Sequence, residues 1–341
     1  MTKDIRNKLL NFLFFFGLLG LSLWYIFHDE NLTQVFHYLG TADLRFVVPA
    51  VGAVIAYILG ESVILCYLLH RLGTNPRFCH CCLYSFIGFF YSAITPSASG
   101  GQPMQVVAMR RDGIPAPVSA VVLAIVTVAY KAVLVLLGVG VLVFRPECIL
   151  VYLDGVEPLM YIGLVLNVAF ILLLLMVVFH PSAVRCSVNL IFRLVQKVHR
   201  FKDPEKILRR LDASIGNYRG TADFFRSNPR IIANVFVLTL IQRFCLFSVV
   251  WFTYEAFGLK GASPLVLTML YAMISVAVDM LPLPGGMGIS ETLFLSIFEP
   301  IFGQALVLPG MIVCRGISYY TQLLISAVMT GVSRFVFRKK K

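Results

Sequence analysis

"LPLPGGMGISE", residues 281–291, sets two prolines, three glycines and a carboxylate between two apolar runs. Proline removes a backbone donor from a helix and collides with the turn before it, and glycine reaches left-handed φ values without steric cost. Pro282, Pro284, Gly285, Gly286 and Gly288 therefore predict a reversal of the chain, after which a helix restarts near Ile289. A helix, a break and a second helix in apolar surroundings leave backbone groups unpaired, which is tolerated only where protein or a wet cavity encloses the break.

Those surroundings are a bilayer. Of 341 residues, 59% are hydrophobic and 13% charged, and the mean hydropathy is +0.85. That balance excludes a soluble domain and defines a polytopic membrane protein. A helix needs roughly 20 apolar residues to cross the hydrocarbon core. Runs of that length fall at 8–27, 46–69, 115–144, 157–180, 231–257 and 306–336. Two further apolar segments, 79–109 and 265–304, are each broken by a proline- and glycine-rich turn and read as re-entrant hairpins. The fold expected is all-α, with six full transmembrane helices plus two re-entrant helical hairpins. The basic N-terminus and its apolar run resemble a signal peptide without a small-residue cleavage site, and read as an uncleaved first helix.

A net charge of +12 would suggest nucleic acid to a soluble protein, but its distribution argues otherwise. With the N-terminus in the cytoplasm, 23 of the 29 Lys and Arg residues fall in cytoplasmic segments and only Arg45, Arg145 and Lys260 in external ones. The excess is a topology signal that places both termini inside and gives no reason to expect a nucleic acid partner. The eight cysteines are scattered, mostly in membrane segments or on the side where disulfides are disfavoured. Cys79, His80, Cys81 and Cys82 lack zinc-site spacing and read as a packed helix start, so neither a metal nor a cofactor is expected.

The break at 281–288 has a counterpart, "TPSASGGQP" at 95–103, which carries Pro96, Gly100 and Gly101. Gly101 precedes the intramembrane Lys131 by 30 positions, and Gly286 precedes the intramembrane Arg315 by 29. The span before each break carries a buried polar group, Glu61 in one half and Arg243 beside Gln242 in the other. By the charge assignment one hairpin enters from the cytoplasm and the other from outside. Residues 1–144 and 145–336 then form an inverted repeat, followed by a basic cytoplasmic tail, 337–341. Such repeats expose one midplane site alternately to two sides.

The linker 181–230 holds eleven basic and four acidic residues. Asp203 is placed to cap a helix that Pro204 opens, and Ile207, Leu211, Ile215 and Tyr218 follow at helical spacing. An amphipathic helix on the anionic lipids of the inner leaflet and a solvated connector both satisfy this pattern.

Six ionisable residues fall within membrane segments: Glu61, Lys131, Arg243, Asp279, Glu291 and Arg315. Each costs on the order of 3 kcal/mol or more at the centre of a lone helix, so they require partners or a wet cavity. Ser318, Tyr319 and Gln322 stand at i+3, i+4 and i+7 from Arg315 and share its helix face. A guanidinium with hydroxyl neighbours suits a phosphate oxyanion, while neutralisation of Asp279 or Glu291 would be a purely structural use for Arg315. Backbone amides at Ile289–Glu291 could receive an anionic head group, with Glu291 and Asp279 facing a cationic substituent. Ser97, Ser99 and Gln102 offer neutral hydrogen bonds around the other break. No nucleotide-binding loop, HExxH or GxSxG occurs, so no residue is expected to be catalytic.

The set "TPSASGGQPMQ" (95–105), "LPLPGGMGISE" (281–291) and "RGISYY" (315–320) resembles the integral-membrane region of lysylphosphatidylglycerol synthase/flippase, the bacterial multiple peptide resistance factor, over nearly the whole chain. The resemblance is strongest to stand-alone relatives that lack the cytoplasmic aminoacyl-tRNA-dependent transferase, because this sequence ends at "FVFRKKK". It implies a flippase in the bacterial plasma membrane that moves aminoacylated phosphatidylglycerol from the inner to the outer leaflet and lowers sensitivity to cationic antimicrobial peptides. The substrate is then a phospholipid, and a separate transferase chain or a second copy is the protein partner to consider. The alternatives are a membrane subunit of the synthase itself and a small-solute secondary transporter.

Overall fold

The computed structural model describes residues 37–95, 98–179, 204–281, 283, 286 and 288–336, with the backbone alone at 204–214 and 333–336. The predicted span 8–27, Pro96, Ser97, residues 181–203 with Asp203, Pro282, Pro284, Gly285 and the tail 337–341 lie outside the described residues, as do the side chains of Ile207 and Leu211. Among the described residues all regular structure is helical.

Among the described residues, five stretches are long and apolar enough to cross a membrane: Leu44–Arg71, Ala116–Phe144, Glu157–Val178, Pro229–Ala256 and Val307–Val332. Each overlaps a run identified in the sequence. α1 (Leu44–Arg71) begins where the Asp43 carboxylate accepts the Arg45 amide at 2.8 Å and ends with His70 and Arg71 near its negative pole. Two short helices follow, α2 (Phe78–Ala93) and α3 (Gly101–Arg111), then α4 (Ala116–Phe144), α5 (Glu157–Phe179) and α6 (Pro204–Ser227). α7 (Pro229–Phe247) continues into α8 (Val249–Ala256) through Ser248, whose hydroxyl donates to the Cys245 carbonyl at 2.9 Å. α9 (Pro264–Val278) and α10 (Ile289–Phe302) flank the second break. α11 (Val307–Arg315) passes through a π-helical turn, Gly316–Thr321, into α12 (Gln322–Val336).

Helices α2, α3, α9 and α10 have 16, 11, 15 and 14 residues. At 1.5 Å per residue these are about 16–24 Å long, short of a hydrocarbon core of about 30 Å. α2 and α3 lie against each other because Gly101 has no side chain: a Cβ there would stand 2.0 Å from Ser92 Oγ and 2.7 Å from the Gly88 carbonyl. Their far ends are tied by Asp112, which accepts hydrogen bonds from the fully buried Tyr84 hydroxyl and, at 2.8 Å, from the His80 ring. The second break turns at Gly286, whose φ of +66° is left-handed and whose Cβ would meet Ser290 Oγ at 2.6 Å.

The apolar interior forms two clusters. One joins Ile64–Leu69 of α1, Tyr84 of α2, Met109 of α3, Val121–Val126 of α4, and Ile231 and Val235 of α7. The other joins Ala50–Ile58 of α1, Val133–Val141 of α4, α8, α9, α10 and α11. The first broken pair packs mainly in the former and the second wholly in the latter. The amphipathic helix also enters the bundle: Ala222 and Phe225 are buried in the first cluster, and the Tyr218 hydroxyl donates to the Val177 carbonyl at 2.9 Å. A helix lying only on a leaflet would leave those groups in lipid or water, so its C-terminal half serves as packing as well.

Candidate functional site

A cavity of about 200 Å³ lies where the two breaks approach each other. Ala98 lines it from the first break, and Asp279, Leu283 and Gly286 from the second. The walls come from Tyr130 of α4, Arg243 of α7, Tyr271 and Ser275 of α9, Ser290 of α10, and Arg315, Ser318, Tyr319 and Gln322. The Tyr319 hydroxyl donates to the Ala93 carbonyl at 2.9 Å and so fixes the end of α2 against the π-helical turn.

Two ion pairs neutralise most of the charge. Arg315 Nε donates to Glu291 Oε1 at 2.8 Å, with both side chains nearly buried. Glu291 Oε2 accepts the Gly288 amide at 2.7 Å, so the start of α10 is capped by its own acid and that amide is already used. Lys131 Nζ donates to Asp279 Oδ2, which joins α4 to the end of α9. The carboxylates that the sequence assigned to a cationic substituent thus already face protein cations.

Arg243 is held differently. Its guanidinium lies 3.5 Å from the Tyr130 ring centroid and 5.1 Å from that of Tyr57, and among the described residues its buried Nε has no hydrogen-bond partner. Glu61 stands one layer behind, outside the lining, and accepts a hydrogen bond from Gln105 Nε2 at 3.4 Å. Gln242 beside Arg243 donates to the Tyr57 carbonyl at 3.0 Å.

The polar face drawn for Arg315, Ser318, Tyr319 and Gln322 is assembled, although the helix there has π rather than α spacing. Tyr271 links to it through a 3.0 Å hydrogen bond with Ser318. Ser99 and Gln102 are exposed and away from the lining, and Gln102 donates instead to the Thr127 hydroxyl. Gly100 donates its amide to Thr95 Oγ1 at 2.9 Å within its own turn. Sequence reasoning missed Tyr130, Tyr271, Ser275, Ser290 and Gln105. The spacing of Tyr271, Ser275 and Asp279, four residues apart in each step, is the signal that could have found two of them.

Broken helices around an ion-paired cavity, within a bundle of long apolar helices, define a multi-pass membrane protein whose described residues are all-helical. The chain belongs to the family described as the lysylphosphatidylglycerol synthase TM region, whose model matches residues 9–326. No curated protein matches it.

Proposed function

We propose that the protein is a phospholipid translocase. The head group of an aminoacylated phosphatidylglycerol or related lipid passes through the cavity from the inner to the outer leaflet while its acyl chains stay in lipid. One observation carries this reading: residues of both breaks line a single cavity together with Arg243 and Arg315. In it, 79–109 and 265–304 are re-entrant hairpins from the inner and outer faces, consistent with their packing into different halves of the core. Residues 1–144 and 145–336 then act as inverted repeats, with both termini in the cytoplasm of a bacterial cell. Export of a lysylated lipid would make the outer surface less negative and weaken attraction of cationic peptides.

The test is movement of fluorescent phosphatidylglycerol and of lysylphosphatidylglycerol in vesicles containing the purified chain, read by leaflet-selective quenching. Movement above protein-free vesicles, abolished by Arg315→Ala, is the expected result. Protein that reconstitutes folded and moves neither lipid overturns the reading. The family description also supports a second reading, the membrane part of a lysylphosphatidylglycerol synthase. Formation of aminoacylated lipid in cells expressing this chain alone would favour it.

A further inference from the structure

We infer that Arg243 is the anion-binding residue of the cavity and that a phosphodiester seated on it brings a proton onto Glu61, so that anion and proton are taken up together. The inference rests on the translocase reading for its setting and on the side-chain arrangement for its substance.

The cavity has two lining arginines and a lysine beside it. Arg315 is matched by Glu291 and Lys131 by Asp279. Among the described residues no carboxylate lies within ion-pair distance of Arg243. Its planar face is occupied by Tyr130, which leaves the N–H edge as the binding surface, and the buried Nε on that edge lacks an acceptor among the described residues. An arginine keeps its charge when buried, and its fork fits two oxygens of one phosphate. A phosphodiester supplies both the missing charge and the missing acceptor.

Glu61 makes the binding proton-linked. Its hydrogen-bond partner is the neutral Gln105 amide at 3.4 Å, and its turn of α1 packs on the Arg243 region: Tyr57, four residues before it, has its ring centroid 5.1 Å from the guanidinium, and Gln242 packs so closely on Gly60 that a Cβ there would stand 2.9 Å from its side chain. One guanidinium cannot fully compensate two anions. When an anion takes up its field, the half-buried carboxylate of Glu61 is left beside neutral groups, the situation in which an acid takes a proton from water rather than remain charged. The other titratable and charged groups around the pair are Tyr57 of α1, Cys82 of α2 at the neighbouring Ser62, Tyr130 and Lys131 of α4, Asp279 at the second break, and Arg315 and Tyr319 of the π-helical region. Lys131 and Arg315 have acid partners in place, so Glu61 is the acid whose compensation changes when Arg243 is occupied.

The test uses the purified full chain in detergent, with dioctanoyl-phosphatidylglycerol and glycerol 3-phosphate as separate probes. Calorimetry in buffers of different ionisation enthalpy counts the protons taken up. The expected result is binding with uptake approaching one proton per anion, so that affinity rises up to about tenfold per pH unit as pH falls through the range in which Glu61 is ionised without the anion and protonated with it. Binding of the lipid probe alone assigns the site to a lipid head group; binding of both assigns it to phosphate chemistry at large. Glu61→Gln should bind with no proton uptake, at an affinity fixed near the wild type's acid limit. Arg243→Gln should lose at least tenfold in affinity, and Arg243→Lys should recover part of it.

Buffer-independent enthalpies for the wild type, undiminished proton uptake in Glu61→Gln, wild-type affinity in folded Arg243→Gln, or no binding of either probe would each overturn the inference. Lipid movement in vesicles without proton-linked binding would refute the coupling and leave the translocase standing. Proton-linked binding without lipid movement would do the reverse.

Discussion

Arg315 and Glu291 permit a prediction whose asymmetry follows from chemistry alone. Arg315 Nε and Glu291 Oε1 are 2.8 Å apart, and the side chains are 11% and 6% exposed. Glu291→Gln removes the charge opposite a guanidinium that cannot shed its own, and loss of one member of such a buried pair costs about 3–5 kcal/mol. Arg315→Met leaves a carboxyl that still accepts the Gly288 amide and can become neutral by taking a proton. Its cost is that of a lost charge-assisted hydrogen bond, about 1.5–3 kcal/mol. The double variant removes both charges, so about half of the Glu291→Gln penalty should vanish, with a coupling of about 2 kcal/mol, roughly thirtyfold in the folding equilibrium. Equilibrium unfolding in dodecylmaltoside with increasing dodecyl sulfate, followed by far-ultraviolet circular dichroism, measures all four proteins. If Arg315→Met costs as much as Glu291→Gln, or if the two losses simply add, the pair does not bear the uncompensated charge that the geometry assigns to it.

Gly286→Ala should destabilise the protein by about 1–2 kcal/mol, because alanine resists the left-handed conformation, whereas Gly286→Leu should also obstruct the cavity and stop lipid movement. Melting temperature and the vesicle assay separate the two effects. Tyr218→Phe deletes the 2.9 Å hydrogen bond that ties α6 to the end of α5 and should cost about 0.5–1.5 kcal/mol in the same unfolding assay. Protease cutting within α6 should increase in that variant while the rest of the bundle stays resistant.

Much of the architecture was legible because bilayer constraints act locally. Twenty apolar residues and a Pro/Gly break each announce themselves within a short window, and the described helices fall where those windows placed them. The pairing of charges was not legible. Lys131 and Asp279 lie 148 positions apart, and their bond depends on how α4 packs beside α9, which no periodicity encodes. Gln102 was expected at the break from its proximity in sequence, yet one residue into α3 the helix turns it outward to Thr127. The π-helical turn was equally hidden, since Gly316–Thr321 carries no breaker other than its first residue. The capping of α10 by Glu291 could have been anticipated, because an acid at the third helical position commonly returns to the helix start.

Stability alone gives a poor account of this polar interior. A buried ion pair is often neutral or worse compared with apolar residues of similar volume, because both charges must leave water. Two pairs can be rationalised as fasteners: one ties α4 to the second break, and the other ties that break to the π-helical turn. Arg243 has no such excuse. It stacks on tyrosine, lacks an acceptor for Nε among the described residues and lines the cavity, while Glu61, outside the lining, is held by the Gln105 amide. A sequence selected only to pack would replace Arg243 and Glu61 together with apolar side chains and gain by it. If that double replacement yields a more stable protein that no longer binds anions, the arrangement is explained by what enters the cavity; if it yields a less stable one, Arg243 and Glu61 are part of the framework after all.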